Sequence, residues 1–556
     1  MHDDRLRITL TRMMHTLNDR GLSRRDALKV AGTAAVASGI AGGAAMAFPG
    51  GLSRSSAQAA SNTLVFGSGQ DMSNLDPHTG HDYSIAWGQR ALYDSVLRYE
   101  GNPGVLQPLI ASEVTGNADG SVWTIKIDER ATFQDGSKVD AAAVQWNFNR
   151  LLTKNLGVAY MFSPVMDANS AQVTDPQTLT VTLLSPFAPF DLVLPWLFVA
   201  NPAVVEANAG SDGGETYLRS TGAGGGPYTL SRVEPNSLYQ FDRNPTYWYA
   251  NPNVTTPIQT FVWRIIRESS TKRIAMEAGE VQWGDTMTVE DVTALSSDPR
   301  FVVNSAPALE PFSIKLNNKA GPTSDVNVRK ALAALFDYES AMSLLQGRGA
   351  VLNGPLATSF TPWYDETLVP IRYDVAAAKT FLAQSAYPQG DFELEYAYVT
   401  GISIEEQFGL LLLSAAAGLN ITITPNPILW PDFVARAATA ETAPAMAAVY
   451  AGTNYVDPDN YLYASYHSSQ AGSWSAASHY SNPQVDDLLV QARTTTDPTQ
   501  RKALYDQVQQ ILVADQAELW IYNEVANEAW VKELSGDMVQ SVMGGDLRGI
   551  QYQVVP

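Results

Sequence analysis

The sequence predicts an α/β protein of two or more lobes, and three observations carry that prediction. The chain has 556 residues, well above the common size of one domain. Its composition is 45% hydrophobic and 17% charged, that of a chain that buries a core rather than one that stays disordered. Strand and helix signals alternate along everything beyond the first sixty or so residues, with no low-complexity linker and no short repeat.

The N-terminal segment predicts export rather than fold. "LSRRDALKVAG" carries Arg24, Arg25 and Lys29, an alanine- and glycine-rich apolar run follows, and "AQA" at residues 57–59 is a small-x-small cleavage pattern. Residues 23–29 resemble a twin-arginine export signal, with Ala27 at the position that usually holds phenylalanine. The competing reading is a membrane anchor. The run is long enough for one, but its glycines and alanines insert weakly. Residues 1–59 are therefore expected to be a cleaved signal peptide.

Elements can be placed along the rest. "SVWTIKI" puts Trp123, Ile125 and Ile127 on one side and Thr124 and Lys126 on the other, a strand of period two. "SDVNVRKALAALF" offers Ser324 or Asp325 as a cap and a helical stripe of Val328, Leu332 and Leu335. "SNPQVDDLLVQA" begins a helix at Pro483 behind Asn482. Asp497 and Pro498 repeat that start signal, before a stripe of Leu504, Val508, Ile511 and Leu512.

Charge and motif content remove several functions. The net charge is −21, which argues against nucleic acid and anionic membrane surfaces as partners. There is no cysteine, hence no disulfide, thiol catalysis, cysteine metal site or lipid-modified N-terminal cysteine. No G-x-S-x-G elbow, phosphate loop or H-E-x-x-H is present, and "TGAGGGPYTL" lacks dinucleotide-loop spacing. Beyond the export segment only His78, His81, His467 and His479 remain; the first two are closer to solvated loop residues than to a metal pair. "DPDN", residues 457–460, has proline where a calcium loop needs a flexible second position. Neither cofactor nor metal is expected, and no catalysis. The cross-class alternative is an exported, cofactor-free hydrolase, which would need His467 or His479 beside a serine and a carboxylate.

Longer blocks resemble the dipeptide- and oligopeptide-binding family of periplasmic solute-binding proteins of ABC importers, family 5. They are "LDPHTG", "ALYDSVLRYEG" and the run 106–152 with Phe133, Asp135 and Gly136 in an F-x-D-G turn ahead of a helix bearing Val144 and Phe148. "GGGPYTL…FDRNPTYW", "AMEAGEVQW" with Gln282 in place of an aspartate, "DVNVRKALAALFDYESAM", "YVDPDNYL" and "HYSNPQVDDLLVQA" follow in the family's order. The resemblance implies a two-lobed α/β periplasmic binding protein of the large type, with an extra subdomain in the first lobe and the ligand between the lobes. The expected lobes are 60–312 plus 524–556, and 313–523. It further implies peptide transport as a monomeric receptor in the periplasm that is not lipid-anchored, with the transmembrane subunits of an ABC permease as partner. An opine, an oligosaccharide or a metal chelate is the alternative solute.

The resemblance also supplies site candidates. In peptide-binding members an acid stands three residues before the first aspartate of the D-P-D turn and pairs with the peptide ammonium. Here that residue is Asn454, which cannot neutralise a cation. Asp457 is a candidate contact, with shaping of the turn as its competing role. Trp430, in "NPILWPDFVARA", is an expected wall of the pocket. Tyr398, Thr400 and Gly401 stand where the far end of a peptide is received, with no arginine beside them. Tyr83, Trp87 and Trp474 are further aromatic candidates, with core packing as the competing role of each.

Overall fold

A computed structural model describes residues 62–552 other than 305 and 541. The expected export segment lies outside the described residues.

Two sheets organise the chain. The seven-stranded one runs, edge to edge, Tyr228–Glu234, Leu238–Arg243, Thr260–Ile265, Thr63–Ser68, Trp283–Gly284, Ala529–Val531 and Phe301–Val303. Thr63–Ser68 pairs in parallel with both of its neighbours, and its Leu64 and Phe66 are fully buried. The Phe66 ring lies 4.7 Å from Trp263, nearly coplanar, and 5.0 Å from both Trp87 and Trp283. Such offset aromatic contacts add to what burial alone contributes.

Between the first two of these strands in sequence the chain inserts a four-stranded antiparallel sheet, Ala111–Gly116, Val122–Ile127, Thr178–Thr182 and Ala171–Asp175 in spatial order. This is the extra subdomain. Its second strand buries Trp123, Ile125 and Ile127 and exposes Lys126. In the preceding-helix turn Gly136 takes φ +85°, which a side chain would resist, while Asp135 Oδ1 accepts from the Ser137 N–H at 2.9 Å. The helix Ala141–Lys154 is capped by Asp140 and buries Val144 and Phe148 completely.

The six-stranded sheet runs Gly349–Val351, Glu518–Val525, Pro307–Leu316, Met446–Tyr450, Phe392–Val399 and Ile421–Ile428. The helix Val326–Leu335 starts at the Asp325 cap and buries Val328, Leu332 and Leu335. Helices Pro483–Thr494 and Pro498–Asp515 start at Asn482 and Asp497. The second of these turns a face of Arg501, Tyr505, Val508 and Leu512 inward, leaving Leu504 and Ile511 at its flanks.

The chain leaves the seven-stranded sheet after Val303 and joins the six-stranded sheet at Pro307; it returns between Val525 and Ala529. The boundaries expected from sequence, 312/313 and 523/524, fall inside the two strands that follow and precede these passages. An unbroken strand pattern such as "PFSIKL" carries no mark of where the chain changes sheets. The passages are bonded to each other. Asn304 N–H donates to the Glu528 carbonyl at 3.0 Å, and its side-chain amide donates to Glu528 Oε1 at 2.5 Å. Trp283 Nε1 donates to the other carboxylate oxygen at 3.0 Å. Burial pushes the Glu528 carboxyl up to about 7.

Candidate functional site

Between the two sheets lies a cavity of about 640 Å³, within the range of small-molecule sites. One wall belongs to the part of the chain built on the seven-stranded sheet: His81, Tyr83, Tyr160 and Trp196, with Val542 and Met543 at the side. The helix Tyr83–Leu92 begins at Asp82, whose carboxylate accepts from the Ile85 N–H at 2.7 Å. That start sets Tyr83 in the cavity wall, 36% exposed. His81 packs edge-on against Trp196 with centroids 5.1 Å apart. Burial holds its imidazole below its ordinary value, and its Nδ1 has no hydrogen-bond partner.

The opposite wall comes from the six-stranded sheet and its loops. Leu309, Glu310, residues 451–454, Asn460, Tyr461, Ser465 and Trp474 line it. The loop at 451–454 is held by backbone bonds, Ala451 N–H to the Pro311 carbonyl at 3.0 Å and Thr453 N–H to that of Leu309 at 3.2 Å. Asn454 donates its own N–H to Asn460 Oδ1. Its carbonyl accepts from Trp196 Nε1 in the opposite wall. A second bridge between the walls joins the Val456 N–H to the Tyr99 hydroxyl at 3.4 Å.

The aspartates of the D-P-D turn are both engaged by arginines. Asp457 is 1% exposed, caps the helix Pro458–Tyr466 and accepts from Arg501 Nη2 at 2.7 Å. Asp459 accepts from Arg493 Nη2 at 3.1 Å and from the Tyr455 hydroxyl at 2.7 Å. Neither lines the cavity. Burial pushes the Asp457 carboxyl up, and the Arg501 guanidinium opposes that shift.

Of the residues singled out in the sequence, Asn454, Tyr83 and Trp474 share this one cavity. Trp430 does not line it; 39% exposed, it packs edge-on to Trp474 at 5.3 Å. Trp87 is 1% exposed on the inner face of its helix and belongs to the aromatic core around Phe66. Tyr398 is buried beside Tyr396, Thr400 N–H donates to the Ile428 carbonyl at 2.9 Å, and Gly401 takes φ +96° in open space. All three stand at the end of the strand Phe392–Val399, away from the lining. His467 Nδ1 lies 2.7 Å from Ser469 Oγ on an exposed turn, and His479 Nε2 lies 3.0 Å from the Ala437 carbonyl; neither lines the cavity.

Sequence reasoning missed Trp196, Tyr160 and, above all, Glu310. A signal for Glu310 existed: it is the one acid in the strand pattern "PALEPFSIKL". Among the described residues no three His, Cys, Asp or Glu side chains are grouped to hold a metal ion. His78, fully buried, has its imidazole pushed down to about 4, chiefly by burial, and lies 2.8 Å from Arg150, which pairs with Asp76.

Two α/β sheets joined by paired crossings around a cavity define the class of two-lobed solute receptors. The chain belongs to the bacterial extracellular solute-binding proteins, family 5, whose middle region matches residues 105–473. A probable D,D-dipeptide-binding periplasmic protein, DdpA of Escherichia coli (strain K12), is 27% identical over 484 residues, covering 85% of this chain and 90% of that protein. The glutathione-binding protein GsiB of Pectobacterium atrosepticum is 24% identical over 500 residues, 86% of this chain and 91% of its own. Among solved structures, HbpA2 from Haemophilus parasuis superposes with a TM-score of 0.77 at 20% identity, covering 88% of this chain and 100% of that one. DppA from Helicobacter pylori, in complex with peptide STSA, gives 0.72 at 21%, covering 88% and 98%.

Proposed function

We propose that this protein is an exported receptor that captures a peptide or peptide-like solute between its lobes and delivers it to an ABC permease without catalysis. The observation that carries the reading is the cavity between the sheets, walled by Tyr83, Tyr160, Trp196 and Trp474 and furnished with amide and hydroxyl groups. Aromatic walls exclude water, and a few aligned polar groups then suffice to orient a solute. Lobe movement would turn on the two passages between the sheets, and closure would build the surface that the permease meets. Relatives named as D,D-dipeptide- and glutathione-binding proteins support a peptide-like solute. His467 and His479, the bases that the hydrolase alternative would need, both stand outside the lining.

Export by the twin-arginine route, cleavage after Ala59, a periplasmic location without a lipid anchor and a monomeric state belong to the same proposal. Replacing Arg24 and Arg25 by lysine is expected to leave the precursor in the cytoplasm; mature protein still reaching the periplasm would point to the general secretory route.

The binding reading is tested by titration calorimetry with L-Ala-L-Ala, D-Ala-D-Ala, glutathione, an opine and an oligosaccharide. Mass spectrometry of solute released from the purified protein accompanies it. Peptide binding together with a smaller radius of gyration on addition of that peptide is the expected result. Binding of the opine or the oligosaccharide alone would move the solute class, a reading that the Asn454 amide favours, and would leave the receptor mechanism in place.

A further inference from the structure

We propose that Glu310 is the anionic anchor of the cavity and that the selected solute presents a cationic nitrogen to it. This rests on the receptor reading above and names the chemistry of its ligand.

Glu310 is part of the cavity wall. It stands on the strand Pro307–Leu316, and Glu524 stands on the adjacent strand Glu518–Val525, near the register in which Pro311 faces Asn523. Neither carboxyl forms an ion pair or accepts a hydrogen bond from a side chain among the described residues, in contrast to Asp457 and Asp459. The Glu310 carboxylate borders the loop that carries Asn454. A methyl group placed on Gly452 would meet nothing within 4 Å except Glu310 Oε1, at 3.8 Å. The space over that exposed glycine therefore opens onto the carboxylate.

Two unpartnered hydroxyls belong to the same cavity lining. Thr453 Oγ1 and Ser465 Oγ belong to residues 6% and 1% exposed, both lining the cavity, and neither has a hydrogen-bond partner. Buried hydroxyls are seldom left so. A solute whose cation is held by Glu310 would bring polar groups into the cavity that these two residues line. The Asn454 amide is then available to a neutral part of the solute.

Among the described residues Arg348 is the cation acting on Glu524; its Nη1 and Nε are engaged with the Asn304 carbonyl at 2.7 Å and Asn527 Oδ1 at 2.8 Å, while its Nη2 has no hydrogen-bond partner. Tyr450 and Tyr522, bonded to each other at 2.6 Å, are the neighbouring hydroxyls, and Glu405 adds further negative charge on the Tyr450 side. Burial raises both carboxyls, and Glu310 raises Glu524 further. A solute cation at Glu310 would favour its ionised form, so binding is expected to release protons to solvent.

The test uses the mature protein and four probes: L-Ala-L-Ala, D-Ala-D-Ala and the N-acetyl derivative of each. Calorimetry in buffers of different ionisation enthalpy at pH 7 reads affinity and protons together. Wild type is expected to bind at least one free-amine dipeptide with net proton release and to lose roughly tenfold or more on N-acetylation. Glu310→Gln is expected to lose a similar factor and the proton release. Glu524→Gln, which removes the competitor for charge, is expected to bind as tightly as wild type or tighter. That opposite sign separates the proposal from damage to the strand. Should Glu310→Gln not fold, the N-acetyl comparison on wild type still decides. Equal affinity for free and acetylated peptides, or an unaltered Glu310→Gln, overturns the inference and leaves the peptide reading intact. Failure of wild type to bind any of the four overturns the inference, and failure to bind glutathione as well overturns the peptide reading with it.

Discussion

Asp457 and Asp459 each face an arginine, whereas Glu310 and Glu524, on neighbouring strands of the six-stranded sheet, form no ion pair among the described residues. Both pairs lie within a few residues of the cavity lining, and the aspartates are the more conspicuous in sequence. The difference lies in what neutralises them. The aspartates are spent within the protein: Asp457 caps a helix and binds Arg501, and Asp459 binds Arg493 and Tyr455. The glutamates have no such partner, and one of them opens to the cavity. A motif rich in acids is therefore a poor guide to a ligand site until its cations are found, and here the cations stand on two later helices.

Three experiments press on that comparison. The largest effect is expected from removing the cation of a paired acid. Arg501→Met leaves the Asp457 carboxylate buried with no cation, beside the Asp459 N–H at 2.9 Å and the Tyr505 hydroxyl at 3.5 Å, and urea unfolding should show a loss of about 3–5 kcal/mol. Adding Asp457→Asn should recover much of it. A loss under about 1 kcal/mol would mean that the pair is not what holds the turn.

Glu528 is the intermediate case, an acid without an ion pair but with two hydrogen-bond donors. Its proton is held more tightly in the folded protein than in the unfolded chain, since burial moves its carboxyl from 4.5 up to about 7. The resulting stabilisation is complete below about pH 4.5 and lost as pH rises to about 7, amounting to about 3 kcal/mol across that window. Glu528→Gln should remove this slope from the pH profile of unfolding. An identical slope in the variant would assign the titration to another group.

The smallest effect concerns the bridge between the walls. Trp196→Phe keeps the ring against His81 and deletes the bond to the Asn454 carbonyl. Solute affinity should fall by about 1 kcal/mol, roughly fivefold, with little change in the stability of the solute-free protein. Unchanged affinity would mean that the bond forms no part of the bound state.

Much of the scaffold was legible because its signals are local. The caps Asp325, Asn482 and Asp497 stand one residue before the helices they start, and the alternation in "SVWTIKI" states which face is buried. The site was less legible because its geometry is long-range. Arg501 lies 44 residues from Asp457, and no spacing rule links them. Trp87 and Trp474 look alike as aromatic residues in mixed surroundings, yet one faces a core and the other a cavity. Which face a helix turns inward depends on the sheet it meets. Glu310 did leave a local trace, a charge in an apolar strand, and the trace is easily read as an edge residue facing water.

The Trp196 bond reaches the main chain of residue 454 rather than its side chain. A carbonyl is present whatever amino acid occupies that position. Point mutations at 454 can therefore change the side chain that the loop presents to the cavity without removing the bond that ties the two walls together.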